Sequence, residues 1–257
     1  MTENIEKTLE ILTRKGYQSV AELAEELGVS DMTVRRYLDK LEEKKLITRT
    51  FGGAFVGKDM IEVDYRARDA ERHAEKKAIG KAAYALIEPG ESVFIDAGTT
   101  AAHLAAAVDD TKRISVVTNS LIAMGLLERR SNVETLVLGG RIHAPSESLI
   151  GPLAEEAVAQ FRFGKAFLGA NGIDGAGFTQ ANMDEVPIKK CAAANAREVI
   201  VLADSSKFDT HKLVLFLRLE QVSTLITDPG IPPQYKQEFE EKGLRVIIAE
   251  PEAQAGE

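Results

Sequence analysis

Residues 19–55 read SVAELAEELGVSDMTVRRYLDKLEEKKLITRTFGGAF, and this stretch decides the fold of the first part of the chain. Ser19 and Glu22 have the S-x-x-E spacing of a capping box, in which the hydroxyl satisfies an orphan N–H at a helix start and the carboxylate reaches back. Val20, Leu23, Ala24 and Leu27 recur at i, i+3, i+4 and i+7, which places them on one helix face. Gly28 follows where a left-handed C-cap is needed, and Val29 plugs the turn with an apolar side chain. Ser30 or Asp31 caps a second helix. In that helix Val34, Tyr37, Leu38 and Leu41 form the inner face, leaving Met32, Thr33, Arg35, Arg36 and Lys40 mostly outward. Residues 46–56, with Gly52-Gly53 at the turn, read as a tight hairpin.

Two helices joined by a short turn containing Gly match the DNA-binding helix-turn-helix, whose second helix enters the major groove. Arg35 and Arg36 carry the group that reads guanine bidentately, and Thr33 reaches a base edge or a phosphate. Lys40, Lys44 and Lys45 follow along the helix, and Arg49 rides on the wing. A solvated helical hairpin would also put Arg and Lys outside. Cap, period, turn Gly, Arg pair and wing together favour nucleic acid, read as double-stranded DNA through its major groove, as a partner. The stretch resembles the N-terminal domain of DeoR-type bacterial transcriptional regulators through SVAELAEELGVS, TVRRYLDKLEEKKLITR and GGA. That family usually has Asp where this chain has Tyr37; the Arg pair is intact, and Tyr37 either packs inward or touches a phosphate.

A chain of 257 residues is one large domain or two smaller ones. With 44% hydrophobic and 28% charged residues it has the composition of a soluble globular protein. The net charge of −8 excludes a strongly basic nucleic-acid binder. Even residues 1–57 carry nine Lys/Arg against ten Asp/Glu. The positive groups gather on the second helix and wing, a local patch on an acidic body, so non-specific DNA affinity is expected to be modest and salt-sensitive. Cys191 is the single cysteine, so no intrachain disulfide forms and a reducing cytoplasm is expected. The N-terminal residues are charged and amphipathic, and no apolar run is long enough to span a membrane, so neither a signal peptide nor a membrane partner is expected.

In chain order, Ile5, Leu9 and Leu12 predict a first helix over 3–15, ended by Gly16-Tyr17. Residues 1–57 are expected to form a winged helix-turn-helix domain, 58–68 a linker, and 69–251 an effector domain. Residues 69–87 read as a helix with Ile79, Ala82, Ala83 and Leu86 on one face, stopped by Pro89-Gly90. Strands are then expected at 92–96, 114–118, 134–138, 166–170, 199–203, 224–227 and 245–249. Helices are expected at about 99–108, 120–129, 152–160, 184–196 and 233–242. The alternation argues for an α/β domain with a parallel sheet and crossovers.

The strand ends carry the chemistry. Asp96-Ala97-Gly98-Thr99-Thr100 is a Gly turn leading at once into a helix, a ready anion site. It lacks the spacing of a P-loop or of a dinucleotide fingerprint, and a plain βα turn would read the same locally. Small or polar residues at other strand ends, including Asn119, Gly139, Asn171, Gly172 and Asp204, point to a shared cleft. Lys207 can neutralise a phosphate, and Asn119, Asn171 and Asp204 can hydrogen-bond sugar hydroxyls. Glu185 and Lys189, four apart, share a helix face, although an exposed ion pair explains them equally well. The four histidines, His73, His103, His143 and His211, show no ligand spacing with Cys191, so no metal or cofactor is expected.

This half also resembles the DeoR-type regulators, in their C-terminal effector domain, through FIDAGTT, VVTNS, LGG, LGANGID and the run from Glu185 through REVIVLADSSKF. The resemblance implies a fold similar to ribose-5-phosphate isomerase. It also implies a phosphorylated sugar or sugar alcohol as inducer, with its phosphate at Gly98-Thr99-Thr100 and Lys207 and the Glu185 helix nearby. The isomerase Asp-Gly-Ala-Asp-Glu motif falls on Leu168-Gly169-Ala170-Asn171-Gly172, so its three carboxylates are missing. Binding without turnover is therefore favoured over a sugar-phosphate isomerase. The resulting expectation is a transcriptional repressor of a sugar operon, released from its operator by the inducer, with an activator of the same architecture as the alternative. Such proteins read paired half-sites, so a homodimer or homotetramer is expected.

Overall fold

The structure, a computed structural model, describes residues 3–15, 18–44, 46–50, 53–55 and 65–252. It divides into two compact units, Met1–Glu62 and Val63–Glu257. Lys45, the Arg49 side chain, the chain at 16–17, the hairpin turn at 51–52, residues 56–57 and residues 58–64 of the expected linker lie outside the described residues.

In the first unit, α1 (Glu3–Lys15), α2 (Val20–Leu27) and α3 (Asp31–Glu43) stand where the sequence predicts them. Ser19 and Glu22 close the capping box, with the Ser19 N–H donating to Glu22 Oε2 at 2.7 Å and the Glu22 N–H to Ser19 Oγ at 3.2 Å. Gly28 ends α2 at φ 65°, a left-handed conformation in which a Cβ would be strained. Ser30, rather than Asp31, caps α3. Ile5, Leu12, Val20, Leu23, Val34, Leu38, Leu41, Ile47 and Ala54 bury together as its core. The strands β1 (Gln18–Ser19), β2 (Thr48–Thr50) and β3 (Gly53–Phe55) form an antiparallel sheet in the order β1-β3-β2. The wing thus has a third strand, too short to leave a period in the sequence.

The expected helix at 69–87 is two helices, α4 (Tyr65–Ala70) and α5 (His73–Ala85). The break is at Arg72, at φ 54°, whose guanidinium reaches Asp228 at 2.9 Å, Asp204 at 3.6 Å and Glu75 at 3.3 Å. Those three carboxylates hold a backbone conformation that costs a non-glycine residue about 1–2 kcal/mol. Residues 65–68, expected in the linker, are the first turn of α4 instead.

All seven expected strands form: β4 (Ser92–Ile95), β5 (Ile114–Thr118), β6 (Val133–Val137), β9 (Phe163–Gly169), β12 (Ala196–Leu202), β14 (Thr224–Thr227) and β15 (Arg245–Ile248). They make one parallel sheet in the order β15-β14-β12-β9-β4-β5-β6. Between and beyond them run α6 (Thr99–Ala107), α7 (Leu121–Leu127), α8 (Pro152–Val158), α9 (Val186–Ala194) and α10 (Pro233–Glu241). Val93 and Ile95 pack on one sheet face with Ile79 and Leu104, while Phe94 packs on the other with Ala154, Ile188 and Phe239, so both faces are covered. The hairpin of β7 (Arg141–His143) and β8 (Ser148–Ile150) was not expected. Nor was the antiparallel sheet of β10 (Gly172–Asp174), β11 (Gly177–Gln180) and β13 (Val214–Arg218).

From β4 the chain order runs outward to β5 and β6 on one side and from β9 to β12, β14 and β15 on the other. The switch point therefore lies between β4 and β9, where open α/β sheets place a ligand crevice at the carboxyl ends of the strands. The helix that opens there, α6, is pressed against α5. A Cβ on Gly80 would lie 2.4 Å from the His103 carbonyl carbon and 2.7 Å from the Leu104 nitrogen. Backbone cannot retreat as a side-chain tip can, so the clash outweighs the ~1 kcal/mol of helix propensity that Ala offers over Gly. Gly80→Ala is expected to lower stability by about 1–3 kcal/mol, read from the urea midpoint; an unchanged or raised midpoint would show that the helices separate freely.

Candidate functional site

In the first unit α3 carries an exposed polar face with Arg35, Arg36 and Lys40, and Lys44 stands exposed at its C-cap. Met32, 81% exposed, lies on the same helix. Thr33 is half-buried, and its hydroxyl lies 3.0 Å from Ser30 Oγ, within the cap itself. Tyr37 packs against the core, and its hydroxyl accepts from Asn4 Nδ2 at 3.3 Å. That resolves the departure at this position toward packing: Tyr37 ties α3 to α1. Its ring also lies 5.9 Å below the Arg36 guanidinium, a weak contact that orients that side chain.

In the second unit the cleft is built on the turn between β4 and α6. Gly98 is at φ 132°, which only glycine adopts without strain, and α6 starts with no side-chain cap. The N–H groups of Gly98, Thr99, Thr100 and Ala101 have no acceptor inside the helix, and all four residues line the cleft. Opposite them stand Asn171, Gln180, Glu185, Lys189, Ser146, Arg68 and Lys207. Lys207 is half-buried, and its ammonium has no hydrogen-bond or ion-pair partner among the described residues. Arg68 donates to the Pro145 carbonyl at 3.1 Å.

The turn is held from below. Asp96, 1% exposed, accepts the Gly169 N–H at 2.9 Å and pairs with the Lys189 ammonium, which also donates to the Gly169 carbonyl at 3.0 Å. Burial pushes the Asp96 carboxyl up, against the pull of Lys189 and of the Gly169 N–H. Asn119 Oδ1 accepts the Ala97 N–H at 3.1 Å, and its Nδ2 donates to the Leu149 carbonyl at 3.4 Å. A second network runs through His143, Ser146, Ser148, Glu185 and Gln180. His143 Nδ1 and Ser146 Oγ are 2.8 Å apart, as are the Ser146 and Ser148 hydroxyls. Ser148 and Gln180 then donate to the two oxygens of Glu185.

The predicted cleft residues Gly98, Thr99, Thr100, Asn171, Glu185, Lys189 and Lys207 are thus brought together. Five others do not line the cleft. Asp96 and Asn119 lie beneath it, spent on Lys189 and on backbone. Gly139 is exposed, in the approach to β7. Gly172 lets backbone pass closely, since a Cβ there would meet the Thr210 carbonyl oxygen at 2.1 Å. Asp204 faces Arg72 and caps the turn at Ser206. Glu185 and Lys189 do not pair with each other: both are buried, and each has its own partners. Sequence reasoning missed Arg68, placed in the linker, and Ser146 and Gln180, which sit beside or on unexpected short strands.

The cleft's volume is only about 40 Å³, against about 300–1,000 Å³ for common small-molecule pockets. Larger hollows exist, one of about 440 Å³ between α9 and β13 and one of about 460 Å³ at the amino ends of β5 and β6. Neither sits at the carboxyl ends of the sheet, and a third, of about 400 Å³ between α5 and the chain after β15, lacks the convergence of the Gly98 turn with Glu185, Lys189 and Lys207, so chemistry rather than size picks the site.

These features are those of a DNA-binding unit joined to a ligand-sensing unit. Residues 5–59 match the DeoR-like helix-turn-helix domain and residues 71–229 the DeoR C terminal sensor domain. The chain is 32% identical over 250 residues to the HTH-type transcriptional repressor CsqR of Escherichia coli (strain K12), covering 96% of this chain and 95% of that one. It is 36% identical over 239 residues to the lactose phosphotransferase system repressor of Lactococcus lactis subsp. lactis, covering 91% and 94%. Among solved structures it is similar to a ribose 5-phosphate isomerase A from Methanocaldococcus jannaschii, at 18% identity and a TM-score of 0.40, over 52% of this chain and 54% of that one. The chain belongs to the DeoR family of transcriptional regulators. No helix among the described residues is long and apolar enough to cross a membrane.

Removing one member of a buried ion pair strands the other, at about 3–5 kcal/mol. Lys189→Met is expected to lose that much stability in denaturant titration, and Asp96→Leu/Lys189→Met to recover part of it. Equal stability of wild type and Lys189→Met would show that Lys189 does not hold Asp96.

Proposed function

We propose that this protein represses a carbohydrate operon and leaves its operator when a phosphorylated sugar or sugar alcohol binds the cleft. Residues 1–57 read DNA, and the effector unit follows the connection at 58–64. The observation that carries the ligand reading is the convergence of four unsatisfied helix N–H groups with an unpartnered Lys207 at the switch point of the sheet. A helix N-terminus and a cation together favour a dianionic phosphate. Asn171, Gln180 and Glu185 are placed to take sugar hydroxyls. Their bonds to neighbouring groups leave lone pairs and protons for such contacts.

The reading is of a sensor without turnover. Leu168, 0% exposed, stands where the isomerases carry an acid, and both oxygens of Glu185 already accept hydrogen bonds. The narrowness of the cleft gives the ligand something to do: a sugar phosphate enters only if rim side chains move. Arg68 is at that rim on α4, the first described element after residue 55, so widening the cleft acts on the segment that leads back to the DNA-reading unit.

On DNA, Thr33, Arg35 and Arg36 read bases or phosphates in the major groove, while Lys40, Lys44, Lys45 and Arg49 hold the backbone, in a homodimer or homotetramer that spans paired half-sites. If Arg36 makes a bidentate base contact, Arg36→Ala weakens operator binding by about 1–3 kcal/mol; unchanged affinity in anisotropy with the DNA upstream of this protein's own gene would remove Arg36 from the reading set. In the same assay at fixed salt, one member of a panel of sugar phosphates is expected to release the wild type. Lys207→Ala is expected to bind the DNA normally and to resist release, and a normally responsive variant would overturn the phosphate role of Lys207.

A further inference from the structure

Asp69 on α4, His73 at the start of α5 and His103 in α6 come from three elements, yet one ligand atom of each lies within 4.8 Å of the others. His103 Nε2 is 3.2 Å from Asp69 Oδ1, and the two imidazole rings meet edge to face with centroids 4.7 Å apart. His103 Nε2 is buried, and no aligned hydrogen bond satisfies it among the described residues, despite the carboxylate beside it. A buried imidazole nitrogen normally has a well-formed partner. This one is at contact distance from a carboxylate oxygen but not aimed along a hydrogen bond, which is the relation of two ligands that share an ion.

The spacing fits. With metal–nitrogen and metal–oxygen bonds of about 2.0–2.1 Å, adjacent corners of a tetrahedron lie about 3.3–3.4 Å apart; Asp69 and His103 are at 3.2 Å. His73 is exposed and can swing a ring nitrogen to the third corner. Lys76, the nearby cation on α5, does not compete for Asp69, because its ammonium is held by the carbonyl oxygens of Arg68 and Glu71. Two imidazoles and one carboxylate suit zinc or a similar transition ion, whereas calcium and magnesium want six or more oxygens.

We propose that Asp69, His73 and His103 form a divalent transition-metal site of the zinc type, with its remaining position open to water. The ion would clamp α4 and α5, across the break at Arg72, onto α6. Asp69 is the residue after Arg68, so the clamp also fixes the backbone beneath a rim residue of the cleft. The site is independent of the ligand reading above, since none of its three residues lines the cleft.

The test uses the full chain stripped with a chelator and titrated with ZnCl₂ against a chromophoric competitor, with Co²⁺ absorption as a second readout of coordination. Expected are one ion per chain, the intense visible bands of low-coordinate cobalt, and a rise in Tm on adding Zn²⁺. His73→Ala, at an exposed position that leaves the fold intact, and His103→Ala are expected to weaken binding at least about tenfold, since even losing a group that merely orients a ligand costs that much. His211→Ala removes a histidine paired with Asp174 at 2.7 Å elsewhere and is expected to bind as wild type. No stoichiometric uptake of Zn²⁺, uptake unchanged in His73→Ala, or equal loss in His211→Ala would each overturn the assignment.

Discussion

The effector unit depends on one buried ion pair. Asp96 directly follows β4, Lys189 comes from α9, and Gly169 ends β9, the central strand beside it; the Asp96 and Lys189 side chains meet out of solvent. An isolated carboxylate there would be costly, and so would an isolated ammonium. Together, with both polar groups of Gly169 as further partners, they fix where two strands end and where the turn into α6 begins. The pair is thus a scaffold beneath the ligand cleft, and its stability comes from complete satisfaction rather than from charge alone.

That foundation explains the electrostatics above it. Lys189 lines the cleft, yet its charge is already neutralised by Asp96, so it adds little net attraction for an anion. Under the proposed function the attraction comes from the α6 amides and Lys207, with Arg68 adding its charge at the rim. Asn119 and Thr118 complete the frame. Thr118 donates to the Ile95 carbonyl at 2.6 Å, and Asn119 takes the Ala97 N–H, so the chain preceding Gly98 cannot drift. Under the proposed function, these bonds hold in place the part of the cleft that would meet phosphate.

Most of this architecture was legible in residues. Capping box, Gly28 and helical period placed α2 and α3 because these signals are local. The seven parallel strands were legible because each is an apolar run bounded by turn residues, and the turn into α6 because Gly98-Thr99-Thr100 follows one of them. What stayed hidden was set by distant contacts. The break at Arg72 leaves no mark in a sequence that is a good helix throughout; it exists because Asp204 and Asp228 capture the guanidinium. The short strands β7, β8, β10 and β11 hold three or four residues each, too few to show a period of two. For the same reason Asn119 and Asp204 read as ligand contacts. A polar residue at a strand end has the same sequence signature whether it faces a sugar or holds a turn.

The energetics of a switch place a further demand on this cleft. Moving a two-state equilibrium from 1:99 to 99:1 requires a ligand to prefer one state by about 5.5 kcal/mol. Hydrogen bonds to a charged group contribute about 1.5–3 kcal/mol each, so two to four of them suffice, but only if they exist in one state and not in the other. Contacts from the α6 amides cannot supply the difference, since the buried pair and Asn119 hold that turn in place. Under the function proposed above, the difference comes from groups at the rim of the cleft, and Arg68 on α4, held to the Pro145 carbonyl at 3.1 Å, is one whose contact a ligand would exchange. Under that proposal affinity resides in α6, and the signal resides in α4.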